Sequence, residues 1–471
     1  MPLTFNTDRF RDVLRSLQPL QADLAGLLLY RGVFSTPTGS AWQRLLQSVL
    51  DPHPQPQDCL RAYTDWFYAL SVTGRTWRSE VLAAIGSDRN PFSTQAQYPG
   101  ILPRGLEQAA QRDLRALQRL AEVEIGLLAQ VVEHLGYPLE PLPVEPFESP
   151  TLDLTLDLAP DLDSTQTSAN PQTTADFQTL RRSALELVFA GAGNWGDRLP
   201  ELVAFYRQWG VGSVSQFACF RWEDHQFQGI ANPDPITLGQ LVGYEEPKAT
   251  LLQNTEFLLK GLPAQNILLY GSRGSGKSSL IKALPHTYAS QGLRLVEVPK
   301  AELHTLSTIL DHVRSSVLKF VVFVDDLSFE EDDETFKALK VVLEGSITAR
   351  PPNLVVYATT NRRHLVREFQ ADRHRPQDAA EIHTWDTVQE KLSFSDRFGL
   401  TLTFEPADQD TYLTMVRHLA QQAQLPHDPE TLEAQAKQWA TRHNGRSGRT
   451  ARQFIDWCLS LAQNLAQNSL E

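Results

Sequence analysis

Apolar residues near the start of the chain recur at intervals of three and four positions. Leu14 and Leu17 open this pattern, and Leu117 and Leu120 continue it further along. Such spacing places side chains on one face of a helix, where they can pack against other helices. We therefore predict a mostly α-helical N-terminal domain at residues 1–137, divided by proline-rich breaks.

The following stretch, residues 138–176, has the composition of an acidic, extended linker. It contains seven prolines and eight Asp or Glu but no Lys or Arg, and such segments bury too little apolar surface to fold alone. Alternating Leu and polar residues at 152–158 are compatible with an edge strand or a docking peptide, although a solvated tether is favoured. Helical spacing returns at about 177–190 and 199–209, and we interpret residues 177–234 as a helical connector.

From residue 235 onwards, short apolar runs alternate with helical stretches. The five runs lie at 266–270, 294–298, 320–324, 354–359 and 400–404. Runs of this kind, separated by helices, indicate parallel strands covered on both faces. We predict a five-stranded parallel sheet within residues 235–407 and a helical segment at 408–471. Ligands of such sheets bind at the carboxyl ends of the strands.

A glycine-rich segment follows the first apolar run and precedes a helical pattern. It reads Gly271, Ser272, Arg273, Gly274, Ser275, Gly276, Lys277 and Ser278, and Ser279 comes next. In this spacing, glycines let backbone N–H groups turn towards phosphate oxygens, lysine supplies a cation, and serine offers a hydroxyl to Mg²⁺. The strand before it and the helix after it are the context that a phosphate-binding loop requires. The segment therefore predicts a site for ATP and Mg²⁺.

Polar residues follow two further runs, where strands of the sheet would end. Asp325 and Asp326 follow the third run, and Asn361 follows the fourth. We expect Asp325 to hold Mg²⁺ through water, since this ion keeps part of its hydration shell. Asp326 would orient or deprotonate the attacking water. The amide of Asn361 would reach the γ-phosphate or that water.

Taken in order, these motifs resemble the AAA+ ATPase superfamily. The resemblance implies that Asn361 is the sensor 1 residue, that Arg397 is an arginine finger acting on an adjacent subunit, and that Arg449 is sensor 2. It also implies that Val242 and Gly243 belong to the segment that contacts adenine. Such a protein is an α/β P-loop NTPase whose sheet carries a helical lid. ATP would lie at a subunit interface of a homo-oligomer, either a ring or an open assembly.

The resemblance covers residues 235–467. The residues within and around these motifs are similar to those of an uncharacterised bacterial AAA+ family of the domain-of-unknown-function type. The resemblance therefore implies ATP binding without indicating a substrate. One residue departs from the superfamily pattern, since most members have Glu at the position of Asp326. Asp is one methylene shorter, so we expect slow hydrolysis suited to a switch.

Composition and charge narrow the classes of protein. The chain has 471 residues, of which 41% are apolar, and its three cysteines are isolated. These values are typical of several folded domains without a disulfide framework or zinc site. No apolar run is long enough to span a bilayer, and the N-terminus lacks a secretory pattern, so we expect a cytoplasmic protein.

A net charge of −13 argues against attraction of nucleic acid to the whole surface. A local basic stretch contrasts with it and contains Arg362, Arg363, His364, Arg367, Arg373, His374 and Arg375. Few aromatic residues interleave, so a solvated loop or subunit contact is favoured over a contact with nucleic-acid phosphates.

The sequence thus predicts an ATPase that couples its nucleotide state to the assembly or remodelling of an unknown protein partner, recognised by the N-terminal helices. Two alternatives stay open: a nucleic-acid-associated loader or replication-type switch, and a scaffold that binds ATP without hydrolysing it.

Overall fold

The structure, a computed structural model, divides the chain into two compact units, Met1–Gln216 and Phe217–Glu471. It describes residues 7–136, 140–144, 146–147, 177–191, 193–327, 339, 343, 351–361, 397–425, 428–443 and 445–468. The alternating segment 152–158 and the basic stretch 362–375 lie outside these residues. The proposals for those two segments therefore stay predictions.

The first unit consists of helices around one apolar core. Its α-helices are α1 (Thr7–Ala25), α2 (Pro37–Val49), α3 (Pro56–Thr73), α4 (Trp77–Ser87), α5 (Pro91–Ala96), α6 (Arg104–Ala121), α7 (Ile125–Gly136), α8 (Phe177–Val188) and α9 (Leu199–Trp209). Proline begins α2, α3 and α5. At this position its lack of an N–H costs nothing, because the first N–H groups of a helix have no acceptor within the helix. Trp42, Trp66 and Trp77 are buried in the core, and the rings of Trp42 and Trp77 stack with centroids 5.0 Å apart.

The second unit combines a sheet with helices. Its strands are β1 (Cys219–Glu223), β2 (Gln226–Gly229), β3 (Ile267–Gly271), β4 (Leu293–Glu297), β5 (Lys319–Val324), β6 (Leu354–Thr360) and β7 (Leu400–Phe404). Its α-helices are α10 (Glu245–Leu259), α11 (Lys277–Lys282), α12 (Leu284–Tyr288), α13 (Leu306–Arg314), α14 (Gln409–Gln422), α15 (Pro429–Arg442) and α16 (Gly448–Asn468). No helix of the described residues is both long enough and apolar enough to cross a membrane.

The order of the strands in the sheet is β2-β1-β4-β5-β6-β3-β7. Strands β1 and β2 are antiparallel, and every other neighbouring pair is parallel. The five predicted strands form the continuous part from β4 to β7. The predicted fold class is therefore confirmed as an α/β fold with a parallel sheet and a helical lid, preceded by a mostly α-helical domain.

The hairpin of β1 and β2 was not predicted, since its residues lie in the stretch interpreted as a helical connector. Its turn residues Asp224 and His225 have φ values of 50° and 58°. Such two-residue hairpin turns are commonly signalled by Asn-Gly or Asp-Gly, and the Asp-His pair gives no such signal. The hairpin extends the sheet because β1 pairs with β4.

Helices α14, α15 and α16 form the lid, which has a core of its own. Tyr412, Val416, Phe454 and Ile455 are buried in this core. The Asp408 carboxylate accepts the Thr411 N–H at 2.8 Å and so caps the start of α14. The lid is thus a packed element that begins shortly after the last strand of the sheet.

Candidate nucleotide-binding site

A cavity of about 540 Å³ lies at the carboxyl edge of the parallel strands. Its polar lining comes from the loop after β3 and from Asp325, Asp326 and Asn361, which follow β5 and β6. Its apolar lining comes from Ile236, Leu241, Val242, Met415 and Leu419. A cavity of this size can hold a drug-sized or cofactor-sized ligand. A lining with both polar and apolar residues suits a nucleotide, which has charged phosphates and a largely apolar base.

Two glycines of the loop occupy positions where a side chain would clash. Gly271 has a φ of 153°, and a Cβ there would lie 2.1 Å from the Phe404 carbonyl oxygen. Gly274 has a φ of 79°, and a Cβ there would lie 2.9 Å from Ser447 Oγ. Gly271 therefore allows close contact between the loop and β7, and Gly274 allows close contact with the part of the lid where α16 begins.

The Lys277 ammonium is buried among neutral oxygen atoms. Its Nζ donates to the carbonyl oxygens of Gly271 at 2.9 Å and Ser272 at 2.8 Å, and to Asn361 Oδ1 at 3.0 Å. Burial lowers the pKa of Lys277, while the nearby carboxylates of Asp325 and Asp326 oppose that shift. A cation held by neutral acceptors would gain from an anionic ligand, because charge-assisted hydrogen bonds are stronger.

Ser278 and Asp325 form an oxygen pair suited to a hard cation. Ser278 Oγ donates to Asp325 Oδ1 at 2.5 Å, although the two residues lie on α11 and just after β5. Among the described residues, no cluster of three or more His, Cys, Asp or Glu could hold a metal. Mg²⁺ needs no such cluster, since it is commonly bound through one or two carboxylates, water and the phosphates of a ligand. The pair therefore fits Mg²⁺ bound together with a nucleotide.

Asp326 adopts a left-handed backbone conformation and is held by Asn361. Its φ is 49°, a value that is uncommon for residues other than glycine but is tolerated by Asp. Asn361 Nδ2 donates to Asp326 Oδ1 at 2.8 Å. The strained turn and this hydrogen bond together keep the second carboxylate beside the loop lysine.

Part of the segment before α10 lines the cavity. Val242 contributes to the lining, whereas Gly243 does not. A Cβ on Gly243 would lie 2.8 Å from both Met415 Cε and Thr411 Cγ2, and its φ is 97°. Gly243 thus allows the segment to approach α14 closely, while its neighbour faces the cavity.

The arginines proposed from sequence occupy different places. Arg449 lines the cavity, and its backbone N–H donates to the Gly274 carbonyl at 3.2 Å. Arg452 also lines the cavity, and its Nη2 donates to Gln240 Oε1 at 3.4 Å. Arg397 lies just before β7, outside the cavity lining. The lid arginines therefore face the same cavity as the loop, and Arg397 does not.

Most residues proposed from sequence come together around this cavity. Those that line it are Val242, Arg273, Gly274, Ser275, Gly276, Lys277, Ser278, Ser279, Asp325, Asp326, Asn361 and Arg449. Those that do not are Gly243, Gly271, Ser272 and Arg397.

Sequence reasoning missed several polar residues of the lining, among them Lys248 and Thr359. Lys248 Nζ donates to the carbonyl oxygens of Leu238 and Leu241 at 2.9 Å each, and so holds the segment before α10. Thr359 could have been found, because it stands two positions before Asn361 and alternate residues of a strand share a face. For Lys248, no signal in the sequence indicates these contacts.

Comparison with known proteins gives one family and several distant structures. A family model described as a protein of unknown function, DUF815, matches residues 215–461, just over half of the chain. The Thermotoga maritima RuvB Holliday junction branch migration motor is 13% identical, with 47% of this chain and 72% of that chain covered and a TM-score of 0.29. A mutant of the same protein is 17% identical, with 50% and 68% covered and a TM-score of 0.33. No curated protein matches the chain.

Proposed function

The chain belongs to the DUF815 family, and we propose that it is a Mg²⁺-dependent ATPase that couples ATP binding and slow hydrolysis to the assembly or remodelling of a protein partner. The observation that carries the proposal is the meeting of Lys277, Ser278, Asp325 and Asn361 in the lining of one cavity. These residues come from three separate places in the sequence and combine a cation, a hydroxyl, a carboxylate and an amide.

In this proposal, the loop binds the phosphates and the apolar lining residues bind the base. Backbone N–H groups of the loop and the Lys277 ammonium hold the β- and γ-phosphates. Val242, Leu241 and Met415 are apolar lining residues against which a base can pack. Ser278 and Asp325 would hold Mg²⁺, which when bound balances negative charge on the phosphates.

For hydrolysis, the polar lining residues position water and balance charge. Asp326 accepts a proton from the attacking water, and Asn361 keeps that carboxylate in place through its 2.8 Å hydrogen bond. Lys277 neutralises charge that develops on the γ-phosphoryl oxygens. Arg397 lies outside the lining of its own cavity, so it would act on the ATP of an adjacent subunit in a homo-oligomer.

The contacts between lid and loop would couple the binding of nucleotide to a movement of the lid. The Gly274 carbonyl accepts the Arg449 N–H at 3.2 Å, and Arg452 donates to Gln240, which also lines the cavity. A nucleotide in the cavity would contact the loop and the lid together and so favour one arrangement of the two. Different arrangements with ATP and ADP could then change which partner surface is presented.

The proposal is tested by trapping the ATP-bound state. Purified wild-type protein should release phosphate from ATP only when Mg²⁺ is present. Asp326→Asn should bind ATP without releasing phosphate, and a tagged form should retain a partner from the source cells in ATP but not in ADP. Failure of the wild-type protein to bind ATP would refute the proposed ATPase. Equal co-purification in ATP and ADP would refute the coupling to a partner.

A further inference from the structure

Thr359 is a buried polar residue between the two carboxylates and Asn361. It lies in β6 beside the end of β5, and its exposed fraction is 2%. No role was assigned to it by the motifs. Its hydroxyl nevertheless donates to the Asp325 carboxylate at 2.5 Å, the same distance as the Ser278 hydroxyl.

The Thr359 hydroxyl donates and accepts at the same time. Its Oγ1 donates to Asp325 Oδ1 at 2.5 Å and accepts the Asp326 N–H at 3.0 Å. Its backbone carbonyl accepts the Leu327 N–H at 2.7 Å. One residue of β6 therefore holds three consecutive residues after β5.

These contacts lie where the backbone is strained. Asp326 has a φ of 49°, and the left-handed conformation is unfavourable for a residue with a Cβ unless its surroundings hold it. The bonds from Asp326 N–H to Thr359 Oγ1 and from Leu327 N–H to the Thr359 carbonyl bracket this position. They keep the turn that directs Asp326 towards Asn361.

The same hydroxyl fixes the orientation of the Asp325 carboxylate. Three donors, Ser278 Oγ, Thr359 Oγ1 and the Asp326 N–H, converge on Oδ1. Within the described part of the chain, no hydrogen bond is made to Asp325 Oδ2, so this oxygen stays available to a hydrated cation.

We propose that Thr359 is a positioning residue that sets Asp325 for the metal and Asp326 for water, through one hydroxyl bonded to both. This inference rests on the proposed ATPase function. A hydroxyl is required because it can donate one hydrogen bond and accept two. Serine can also donate and accept, whereas valine has nearly the shape of threonine but can do neither.

The test compares Thr359→Val and Thr359→Ser with Thr305→Val as a matched control. Thr305 is also buried, and its hydroxyl also does both: it donates to the Glu302 carbonyl and accepts from Trp222 Nε1, at 2.7 Å each. It does not line the cavity. Measurements are ATP affinity in EDTA, phosphate release across a Mg²⁺ titration, and thermal unfolding.

We expect Thr359→Val to bind ATP in EDTA within about twofold of wild type and to hydrolyse it at least about tenfold more slowly, since misplaced groups lose rate more than affinity. The Mg²⁺ concentration at half-maximal rate should rise. In Thr359→Ser, the hydrolysis rate and the Mg²⁺ concentration at half-maximal rate should both be close to those of wild type. Thr305→Val should lose thermal stability but keep the wild-type rate and Mg²⁺ dependence.

A wild-type rate and Mg²⁺ dependence in Thr359→Val would overturn the proposal, as would a loss of rate in Thr305→Val equal to that in Thr359→Val. If wild-type protein binds ATP without hydrolysing it, only the hydrolysis part of the proposed function fails. Mg²⁺ should then raise the ATP affinity of wild type more than that of Thr359→Val, and an equal gain would overturn the positioning role. A wild-type chain that binds no ATP contradicts the proposed function and this inference together.

Discussion

The side chain of Asn361 joins Lys277 to Asp326. Its Oδ1 accepts from the Lys277 ammonium at 3.0 Å, while its Nδ2 donates to Asp326 Oδ1 at 2.8 Å. An amide can do both because it carries an acceptor oxygen and a donor nitrogen. The cation of the phosphate loop and the carboxylate proposed to activate water are thus linked through one residue. A ligand that binds Lys277 would therefore also affect the hydrogen bond by which Asn361 holds the Asp326 carboxylate.

The length of the Asp326 side chain should limit hydrolysis. Asp326→Asn should bind ATP with nearly wild-type affinity and lose phosphate release by about 100-fold or more, because an amide cannot accept the proton of water. Asp326→Glu should raise the rate on the order of tenfold, since the carboxylate reaches further. Single-turnover phosphate release with matched ATP-binding measurements checks both variants. A Glu variant no faster than wild type would show that reach is not the limit.

We expect that residue 271 must be glycine because of its close contact with β7, and not only because of its backbone conformation. We expect Gly271→Ala to lower the free energy of unfolding by at least about 2 kcal/mol, because the added Cβ would meet the Phe404 backbone. Gly261→Ala is the matched control, since Gly261 has a φ of 72° and nothing within 4 Å of the added Cβ. Gly261→Ala should lower the free energy of unfolding by about 1 kcal/mol. Chemical denaturation measures this free energy for both variants, and equal decreases would exclude the contact with β7 as the cause.

Much of the parallel sheet and the phosphate loop could be predicted because their signals are local. The apolar strands are continuous, and the loop sets Gly271 six positions before Lys277 in one short segment. The hairpin of β1 and β2 was missed because its strands are short and its turn lacks glycine. Thr359 was missed because its role depends on β6 lying beside β5, a pairing that no single segment encodes.

Arg397 should act between subunits. Arg397→Ala should keep its ATP affinity and lose hydrolysis by about 10³-fold, the effect expected when an arginine that balances transition-state charge is removed. The matched control is Arg314→Ala, which removes an exposed arginine of α13 away from the cavity. Mixing Arg397→Ala with Asp326→Asn subunits should restore part of the activity, because some interfaces then combine an intact arginine with an intact carboxylate. No recovery on mixing would contradict action between subunits.

Calorimetric titration with ATP in the presence of Mg²⁺ measures whether the loop from Gly271 to Ser278 binds ATP. Lys277 and Lys282 offer a matched pair on α11, since Lys277 lines the cavity while Lys282 lies over the Phe323 ring at 5.9 Å. Wild type and Lys282→Ala should bind ATP with similar affinity, and Lys277→Ala should bind it at least about tenfold more weakly because a charge-assisted contact with phosphate is lost. Equal binding by Lys277→Ala and wild type, or no binding by wild type, would exclude the loop as the ATP-binding site.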